Sequence, residues 1–276
     1  MEALARISAK DNPSIKLYRQ LAKSKKERQK QNCFVLEGLR LVSDAVKNGA
    51  ILSYLFWTEE GFSRWKNEMP LWKPENTRCF LVTNGLGAEL AQTEHAQGVY
   101  AICRIPAPSS LEEMIHSSGI YAVLHQLQDP GNVGMILRTA DAMGLDGVIC
   151  CNCCDIYSPK VVRATMGSLF RVPVCSGVQW ESVQNICRKK KVETCAAVVA
   201  GEAELVGGCA FSSGTAIVIG NEGNGLPTAV SQACDRRLTI PMCGTIESLN
   251  AAMAAGIILW EASRKRMLEQ EVKSDG

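Results

Sequence analysis

The chain has 276 residues, of which 46% are hydrophobic and 21% charged, and this composition is typical of a soluble globular protein with one or two cores. No apolar run approaches the roughly 18 residues of a membrane-spanning helix, and the N-terminus lacks an apolar secretion segment. We therefore expect a cytoplasmic protein with no membrane partner, whose 13 cysteines are reduced thiols.

The charge of the chain is small but unevenly distributed. The formal net charge is +2, yet residues 1–40 contain ten Lys or Arg and four Asp or Glu, a local net charge of +6. The remaining residues contain 20 Lys or Arg and 24 Asp or Glu, a net charge of −4. The basic excess peaks in KSKKERQK (23–30). Such a patch suits a phosphate backbone, although charge alone equally permits a solvated helix face.

The densest cysteine cluster is CCNCC (150–154). Adjacent cysteines do not easily converge on one tetrahedral ion, and no second CxxC pair or nearby histidine completes a zinc site. We expect no metal here and interpret the cluster as the end of a strand followed by a loop.

The first third of the sequence predicts a small α/β unit. FVLEG (34–38) is typical of a strand that leads into the helix LRLVSDAVKNG, which we expect to end at Gly49. Further strands are predicted at ILSYLFW (51–57), CFLVT (79–83) and GVYAICR (98–104). One short helix is predicted at 84–92, between the last two of these strands.

A cluster of proline, alanine and serine at 105–110 predicts a domain boundary, which gives domains 1–106 and 107–276. In the second domain, near-continuous apolar strands alternate with helices, a pattern that indicates a mainly parallel sheet covered on both faces. The predicted strands are 121–127, 146–151, 170–175, 193–200, 216–221 and 236–242, and the predicted helices are 132–144, 158–168 and 247–268.

Ligands of open α/β sheets bind beyond the carboxyl ends of the strands, where three turns of this chain attract attention. The first is QDPGNVG, in which Asn132 is a candidate N-cap of the next helix. Arg138 follows almost two turns into that helix. With a pKa above about 12 it does not readily accept a proton, but it suits a bidentate clamp on phosphate. The alternative is an ion pair with Asp141.

The second turn, AIVIGNEGNGLP, carries one carboxylate, Glu222, among glycines that permit close approach of a ligand. Its spacing matches neither the dinucleotide fingerprint nor a P-loop, and an exposed tight turn is the alternative. The third turn, IPMCGTIESLNAAMAAG, offers Thr245 and Ser248 as helix caps and places Asn250 in the first helical turn. The small residues 251–256 suit tight packing or a subunit interface.

No hydrolytic constellation is present in these turns. The three histidines, His95, His116 and His125, lie outside all three turns, and His125 is interpreted as a core residue within a strand, with its hydrogen bonds satisfied. The candidates for chemistry in the three turns are therefore an arginine, a carboxylate, small polar residues and glycine-rich backbone. The turns offer no metal site and no base of ordinary pKa.

Taken in order, NVGMILRTADAMG, IVIGNEGNGL and IPMCGTIESLNAAMAAGI resemble the three motifs of the SpoU/TrmH group of the SPOUT superfamily. These are RNA ribose 2′-O-methyltransferases that use S-adenosylmethionine. SPKVVRATMGSLFRVPV also fits the group, and FVLEGLRLVSDAV resembles the start of an L30e-like substrate-binding domain. The resemblance implies a C-terminal SPOUT domain whose mainly parallel sheet holds a trefoil knot, a smaller N-terminal L30e-like α/β domain, and a homodimer.

The resemblance also implies roles for single residues. Arg138 matches the catalytic arginine, as a phosphate clamp or as a base assisted by that phosphate. The remaining matches are Asn132, Glu222, Ser248 and Asn250 in the catalytic motifs, and Gly220, Ile240 and Leu249 as residues that hold the cofactor. No metal is implied, because a sulfonium is already a good leaving centre.

We therefore expect an S-adenosylmethionine-dependent RNA 2′-O-methyltransferase. An N-terminal L30e-like module fits structured ribosomal RNA better than tRNA, an inference by analogy. The alternatives are a tRNA 2′-O-methyltransferase and a non-catalytic RNA-binding or ribosome-assembly protein with the same fold.

Overall fold

The computed structural model describes residues 4–65, 67, 77–199 and 202–274. The chain divides into two compact units. The first unit comprises Met1–Ala107 and Tyr157–Phe170, and the second comprises Pro108–Ile156 and Arg171–Gly276. The segment Tyr157–Phe170 thus packs with the first unit, although it lies in the sequence range predicted for the second domain.

Strands and helices alternate along most of the chain. The strands are β1 Ala5–Ile7, β2 Cys33–Glu37, β3 Leu52–Thr58, β4 Arg78–Val82, β5 Val99–Arg104, β6 Ile120–His125, β7 Gly147–Cys151, β8 Val174–Val178, β9 Glu193–Ala197, β10 Glu204–Leu205, β11 Thr215–Ile219 and β12 Arg236–Thr239. The helices are α1 Pro13–Lys23, α2 Lys25–Gln31, α3 Leu39–Lys47, α4 Glu59–Trp65, α5 Asn84–Leu90, α6 Leu111–Met114, α7 Pro130–Ala142, α8 Pro159–Ala164, α9 Trp180–Lys190, α10 Thr228–Ala233 and α11 Ala251–Ser274. None of the helices in the described ranges is long and apolar enough to cross a bilayer.

The first unit is built on a five-stranded mixed sheet in the order β1-β4-β3-β5-β2. The strands β1, β3 and β4 run parallel, whereas β5 is antiparallel to both β2 and β3. Aromatic rings form much of its core, since the Tyr18 ring meets the rings of Phe56 and Tyr100 edge-on at 6.1 and 5.9 Å. Such edge-to-face pairs add to the stabilisation that burial provides.

The basic segment at 23–30 is helical and contains one buried cation. Ser24 caps α2 by accepting a hydrogen bond from the Glu27 N–H. Arg28 is buried, and its guanidinium donates to the carbonyl of Leu21 in the last turn of α1. A cation there also interacts favourably with the helix dipole of α1. The neighbouring lysines of α2, Lys25, Lys26 and Lys30, remain exposed, which is compatible with both interpretations of this segment.

The second unit is built on a seven-stranded sheet in the order β10-β12-β9-β11-β6-β7-β8. All neighbouring strands in it are parallel. The central strands β6 and β11 are buried along their whole length, as the apolar runs predict for a sheet covered on both faces. The predicted α/β class, with a mainly parallel sheet and a smaller N-terminal α/β unit, is confirmed.

Several predicted boundaries differ from those observed. The helix predicted over 158–168 ends at Ala164, because Met166 and Gly167 adopt positive φ angles of 50° and 91°. The strand predicted at 170–175 starts only at Val174, after a short 3-10 helix at Ser168–Phe170. The strand predicted at 193–200 ends at Ala197, and residue 200 lies outside the described residues.

The central position of β6 gives a stability prediction. Leu124 is fully buried on β6, whereas Leu205 is an exposed leucine on β10 of the same unit. We expect Leu124→Ala to lower the free energy of unfolding by about 2–5 kcal/mol, because it removes buried methyl groups and leaves a cavity. We expect Leu205→Ala to change it by less than about 0.5 kcal/mol. Urea unfolding followed by fluorescence would measure both, and equal losses would contradict the assignment of β6 to the core.

Candidate active site

The candidate site lies at the carboxyl ends of β6 and β11. These strands are parallel neighbours, with Leu124 opposite Ile219, so both chains leave the sheet at the same edge. The turn after β6 leads into α7, and the glycine-rich turn after β11 leads towards α10. Two of the three turns singled out in the sequence therefore lie side by side.

The turn after β6 is fixed by Asp129. Its Oδ1 accepts a hydrogen bond from the Asn132 N–H at 2.8 Å, and Pro130 occupies the first helical position. Asp129 is thus the N-cap of α7, and the prediction that Asn132 is the cap was wrong. Asn132 lies in the first turn of the helix, where its side chain is buried and available for another partner.

The turn after β11 closes on itself through Asn221. Its Oδ1 accepts hydrogen bonds from the N–H groups of Gly223 and Asn224 at 2.9 and 3.2 Å. A Cβ added to Gly220 would lie 2.3 Å from the carbonyl carbon of Gly225, which real side chains do not tolerate. Glycine at 220 is therefore required by the close approach of the two ends of this turn.

The Glu222 carboxylate points from this turn to the turn after β6. It accepts hydrogen bonds from the Asn132 side chain and the Asp129 N–H, both at 3.1 Å, and from the Gln128 N–H at 3.3 Å. Burial raises the pKa of Glu222, but these donors outweigh it and hold the pKa below the ordinary value of 4.5. Glu222 is therefore an ionised acceptor at neutral pH.

The third turn joins the other two through Asn250. Its Nδ2 donates to Asn132 Oδ1 at 2.9 Å, while its Oδ1 accepts from the N–H groups of Ala252 and Met253. Asn250 is thus the residue that caps α11, and the assignment of that role to Thr245 or Ser248 was wrong. The side chains Glu222, Asn132 and Asn250 form a continuous chain of hydrogen bonds, which we call the amide relay.

Two of the predicted catalytic residues lie outside the amide relay. Arg138 is exposed on α7, and within the described ranges its guanidinium forms no ion pair. The alternative partner Asp141 instead pairs with Arg171, with nitrogen–oxygen distances of 2.7 and 2.9 Å. Ser248 is exposed in the loop that precedes α11. Both side chains are therefore available to a ligand.

The loop 240–249 has the properties of a binding segment for an uncharged or amphipathic group. Its residues belong to no helix or strand, and its backbone groups form no hydrogen bonds to the described residues. Ile240 is half-buried, and Leu249 is exposed. Free peptide groups next to apolar side chains fit S-adenosylmethionine, whose adenine needs hydrogen bonds and apolar contact.

Other reactive side chains of this unit are poor candidates for chemistry. His125 is buried on β6, as predicted for a core residue, and burial lowers its pKa. Its Nδ1 is buried with no hydrogen-bond partner among the described residues, so the prediction that its polar groups are satisfied was wrong. Burial raises the pKa of Cys151 to about 12 and that of Cys154 to about 11, so neither is a thiolate at neutral pH. Over the described ranges, no three His, Cys, Asp or Glu side chains are grouped to hold a metal ion.

Gln128 and Asn221 were not singled out from the sequence. Gln128 acts on Glu222 through its backbone N–H, which carries no sequence signal. The signal for Asn221 was present, because an asparagine before a glycine-rich turn is typical of an Asx turn.

Comparison with known proteins identifies the family of this chain. Residues 119–260 match the SpoU rRNA Methylase family, and residues 12–101 match the MRM3-like substrate binding domain. The chain is 30% identical to the 23S rRNA (guanosine(2553)-2'-O)-methyltransferase RlmP of Bacillus subtilis, over 93% of this chain and 98% of the relative. It is 31% identical to the 23S rRNA (uridine(2479)-2'-O)-methyltransferase of Streptomyces viridochromogenes, over 96% and 94% respectively.

Solved structures give the same result. The crystal structure of an rRNA methyltransferase from Sinorhizobium meliloti with bound S-adenosylmethionine superposes with a TM-score of 0.83 at 30% identity. The match covers 94% of this chain and 97% of that chain. The parallel α/β sheet with its polar site at the carboxyl edge, taken together with these family and structure matches, defines an S-adenosylmethionine-dependent RNA methyltransferase. The chain belongs to the SpoU rRNA methylase family, and the resemblance drawn from its three motifs is confirmed.

The amide relay predicts a change in the titration of Glu222. In Asn132→Ala, we expect the pKa of Glu222 to rise above its wild-type value, because one donor to the carboxylate is lost. Since the folded pKa is depressed, this carboxylate contributes stability above its unfolded pKa, and that contribution is lost as the pH falls through the folded pKa. Carboxyl-selective NMR titration measures the pKa directly.

The matched control is Asn185→Ala, which removes an exposed asparagine of α9 in the same unit. It should leave the Glu222 titration unchanged. An unchanged Glu222 pKa in Asn132→Ala would show that the Asn132 side chain does not stabilise the charged carboxylate.

Proposed function

We propose that this protein transfers a methyl group from S-adenosylmethionine to a ribose 2′-oxygen of ribosomal RNA. The amide relay carries the proposal, because it joins the three motif turns in a chain similar over nearly its full length to two enzymes named 23S rRNA 2'-O-methyltransferases. Both matches extend through the N-terminal part of the chain, beyond the methylase region alone. This extent favours rRNA over tRNA as the substrate.

Arg138 is the proposed catalytic residue. When bound, S-adenosylmethionine supplies a sulfonium methyl group. The ribose hydroxyl is a weak acid, so its attack is helped by a fixed positive charge that favours the developing alkoxide. The Arg138 guanidinium is exposed and suited to bind the adjacent phosphate with two parallel hydrogen bonds, which would also orient the 2′-oxygen.

We propose supporting roles for the other site residues. Glu222 and Asn250 orient the Asn132 amide from its two ends and so position the first turns of α7 and α11. Gly220, Ile240 and Leu249 hold the cofactor through backbone groups and apolar contact, and Ser248 offers a hydroxyl beside them. The trefoil knot that the resemblance implies stays a prediction.

We propose that residues 1–106 bind RNA and that residues 107–276 carry the methyl transfer. The match of residues 12–101 to a substrate binding domain supports the first assignment. The exposed Lys25, Lys26 and Lys30 of α2 support it further, since lysines near a phosphate backbone gain from the release of counterions. A cytoplasmic location fits the 13 free cysteines, which are expected in a reducing compartment.

We propose that the protein is a homodimer that forms through α7 and α11. Met253, Ile257 and Trp260 lie on one face of α11 and, with Met135 of α7, are between 39% and 56% exposed. Exposed apolar side chains on neighbouring helices are typical of a protein interface. Arg138 follows Met135 by three residues on α7, which would put the site near that interface.

The reaction is tested with labelled S-adenosylmethionine and unmodified rRNA and tRNA transcripts, together with ribosomal subunits. We expect label in alkali-resistant dinucleotides of rRNA, which only 2′-O-methylation produces. Arg138→Ala should lower the rate by about 100-fold or more, as loss of one key transition-state donor does elsewhere. Arg138→Lys should also be impaired, because lysine cannot form the planar bidentate clamp.

The control is Arg188→Ala, which removes an exposed arginine of α9 and should leave the rate unchanged. Full activity of Arg138→Lys would contradict the bidentate clamp. Label in tRNA alone would replace the rRNA assignment, and cofactor binding without transfer to any RNA would favour the non-catalytic alternative.

The dimer is tested by charge substitution on its proposed face. We expect Ile257→Glu to shift the protein from dimer to monomer in sedimentation velocity, because it places a charge in an apolar interface. Lys265→Glu changes an exposed residue on another face of α11 and should leave the dimer intact. A wild-type protein that is monomeric at micromolar concentration would overturn this proposal.

A further inference from the structure

A concave pocket of about 430 Å³ lies beside the amide relay, at the ends of β6, β7 and β11. Its volume falls in the range of about 300–1,000 Å³ typical of small-molecule sites. No charged side chain lines it. Its side chains are mostly carboxamides, contributed by Gln126, Gln128, Asn152, Asn221 and Asn224, with Pro227 as an apolar member.

Some of these carboxamides are already used within the protein. Gln128 Nε2 donates to the Asn152 carbonyl at 2.9 Å, which leaves Gln128 Oε1 as an open acceptor. Asn152 Nδ2 donates to Gln179 Oε1 at 3.3 Å, which leaves Asn152 Oδ1 open. These two fixed acceptors form one part of the pocket wall.

Two other carboxamides are entirely uncommitted. The side chains of Gln126 and Asn224 have no hydrogen-bond partner among the described residues, and both are exposed to the pocket. Each carries two N–H donors and one carbonyl acceptor. The pocket therefore presents both donors and acceptors to a ligand, with no net charge.

The backbone holds this wall in an unfavourable conformation. Gln126 and Asn152 adopt left-handed φ angles of 58° and 52°, which are uncommon for residues other than glycine and particularly for glutamine. The Gln126 carbonyl is fixed by Asn221 Nδ2 at 2.9 Å, and its N–H donates to the Cys151 carbonyl at 2.8 Å. Strain of this kind concentrates at functional sites.

We propose that this carboxamide pocket receives the base of the nucleotide whose ribose is methylated. The inference rests on the proposed function. Neutral amides read the hydrogen-bonding edges of unstacked bases, whereas phosphates and metal cations are most often bound with the help of charged groups, which the pocket lacks. Gln128 and Asn221 also donate to Glu222 Oε2, both at 3.3 Å, so the pocket shares a wall with the amide relay.

The first test measures binding of each of the four ribonucleoside 5′-monophosphates by saturation-transfer NMR. Saturating S-adenosylmethionine is present throughout to fill the cofactor site. We expect stronger transfer to base protons than to ribose protons for at least one nucleotide. Gln126→Ala and Asn224→Ala should each weaken its binding about twofold to tenfold, the range for one net hydrogen bond. Gln232→Ala, an exposed glutamine of α10 outside the pocket, should not.

The second test uses RNA. After the methylated nucleotide is located, its base is replaced in the transcript or subunit, and kcat/KM is measured for wild type and Gln126→Ala. If the pocket reads the base, the loss in kcat/KM caused by base replacement and the loss caused by Gln126→Ala are not additive in free energy. Binding of S-adenosylmethionine should be unchanged in the variant.

The outcomes separate the pocket from the function. If nucleotides bind in the wild type and the pocket variants weaken them, but no RNA is methylated, the proposed function fails and the pocket assignment stands. If methyl transfer occurs while no nucleotide binds and Gln126→Ala and base replacement act additively, the pocket assignment is overturned and the function stands.

Discussion

The site depends on the position of one buried carboxamide, that of Asn132. Its Nδ2 donates to Glu222 and its Oδ1 accepts from Asn250, so a single side chain connects all three turns. A buried amide with one end unsatisfied costs about 1–3 kcal/mol, which is why both ends must find partners together. The three turns are thereby coupled through Asn132, because displacement of the turn that carries Glu222 or of the turn that carries Asn250 leaves one end of the Asn132 amide unpaired.

This coupling requires the parallel sheet. Asn132 and Glu222 are 90 residues apart in sequence, and Asn250 is a further 28 residues on. They meet because β6 and β11 are parallel neighbours and because α11 packs beside α7. The carboxyl edge of such a sheet collects loops from distant parts of the chain, whereas the buried apolar strands below keep those loops in register.

The same logic explains what could be predicted from the sequence. Apolar runs as strong as 121–127 and 216–221 predict buried strands, and their alternation with helices predicts the parallel class. The helix caps were misassigned because Asp129 and Asn132, or Ser248 and Asn250, are equally good N-cap residues three or two positions apart. Which of the two residues becomes the N-cap depends on whether the side chain of the other one forms hydrogen bonds elsewhere in the fold, as that of Asn132 does. The early end of α8 depends on a positive φ at Met166, a residue type that gives no such signal.

The polar groups at this edge fall into two sets with different roles. Glu222, Asn132 and Asn250 satisfy one another and contribute rigidity, since their donors and acceptors are consumed inside the protein. Arg138, Gln126 and Asn224 form no such bonds with the described residues, although they lie on the same unit. A side chain that binds a ligand gains most when it has no internal bond to break and its support is already fixed. In the function that we propose, the satisfied set supplies the preorganised frame and the unsatisfied set contacts RNA. A substitution in the frame should therefore disturb cofactor and RNA together, whereas one in the second set should affect RNA alone.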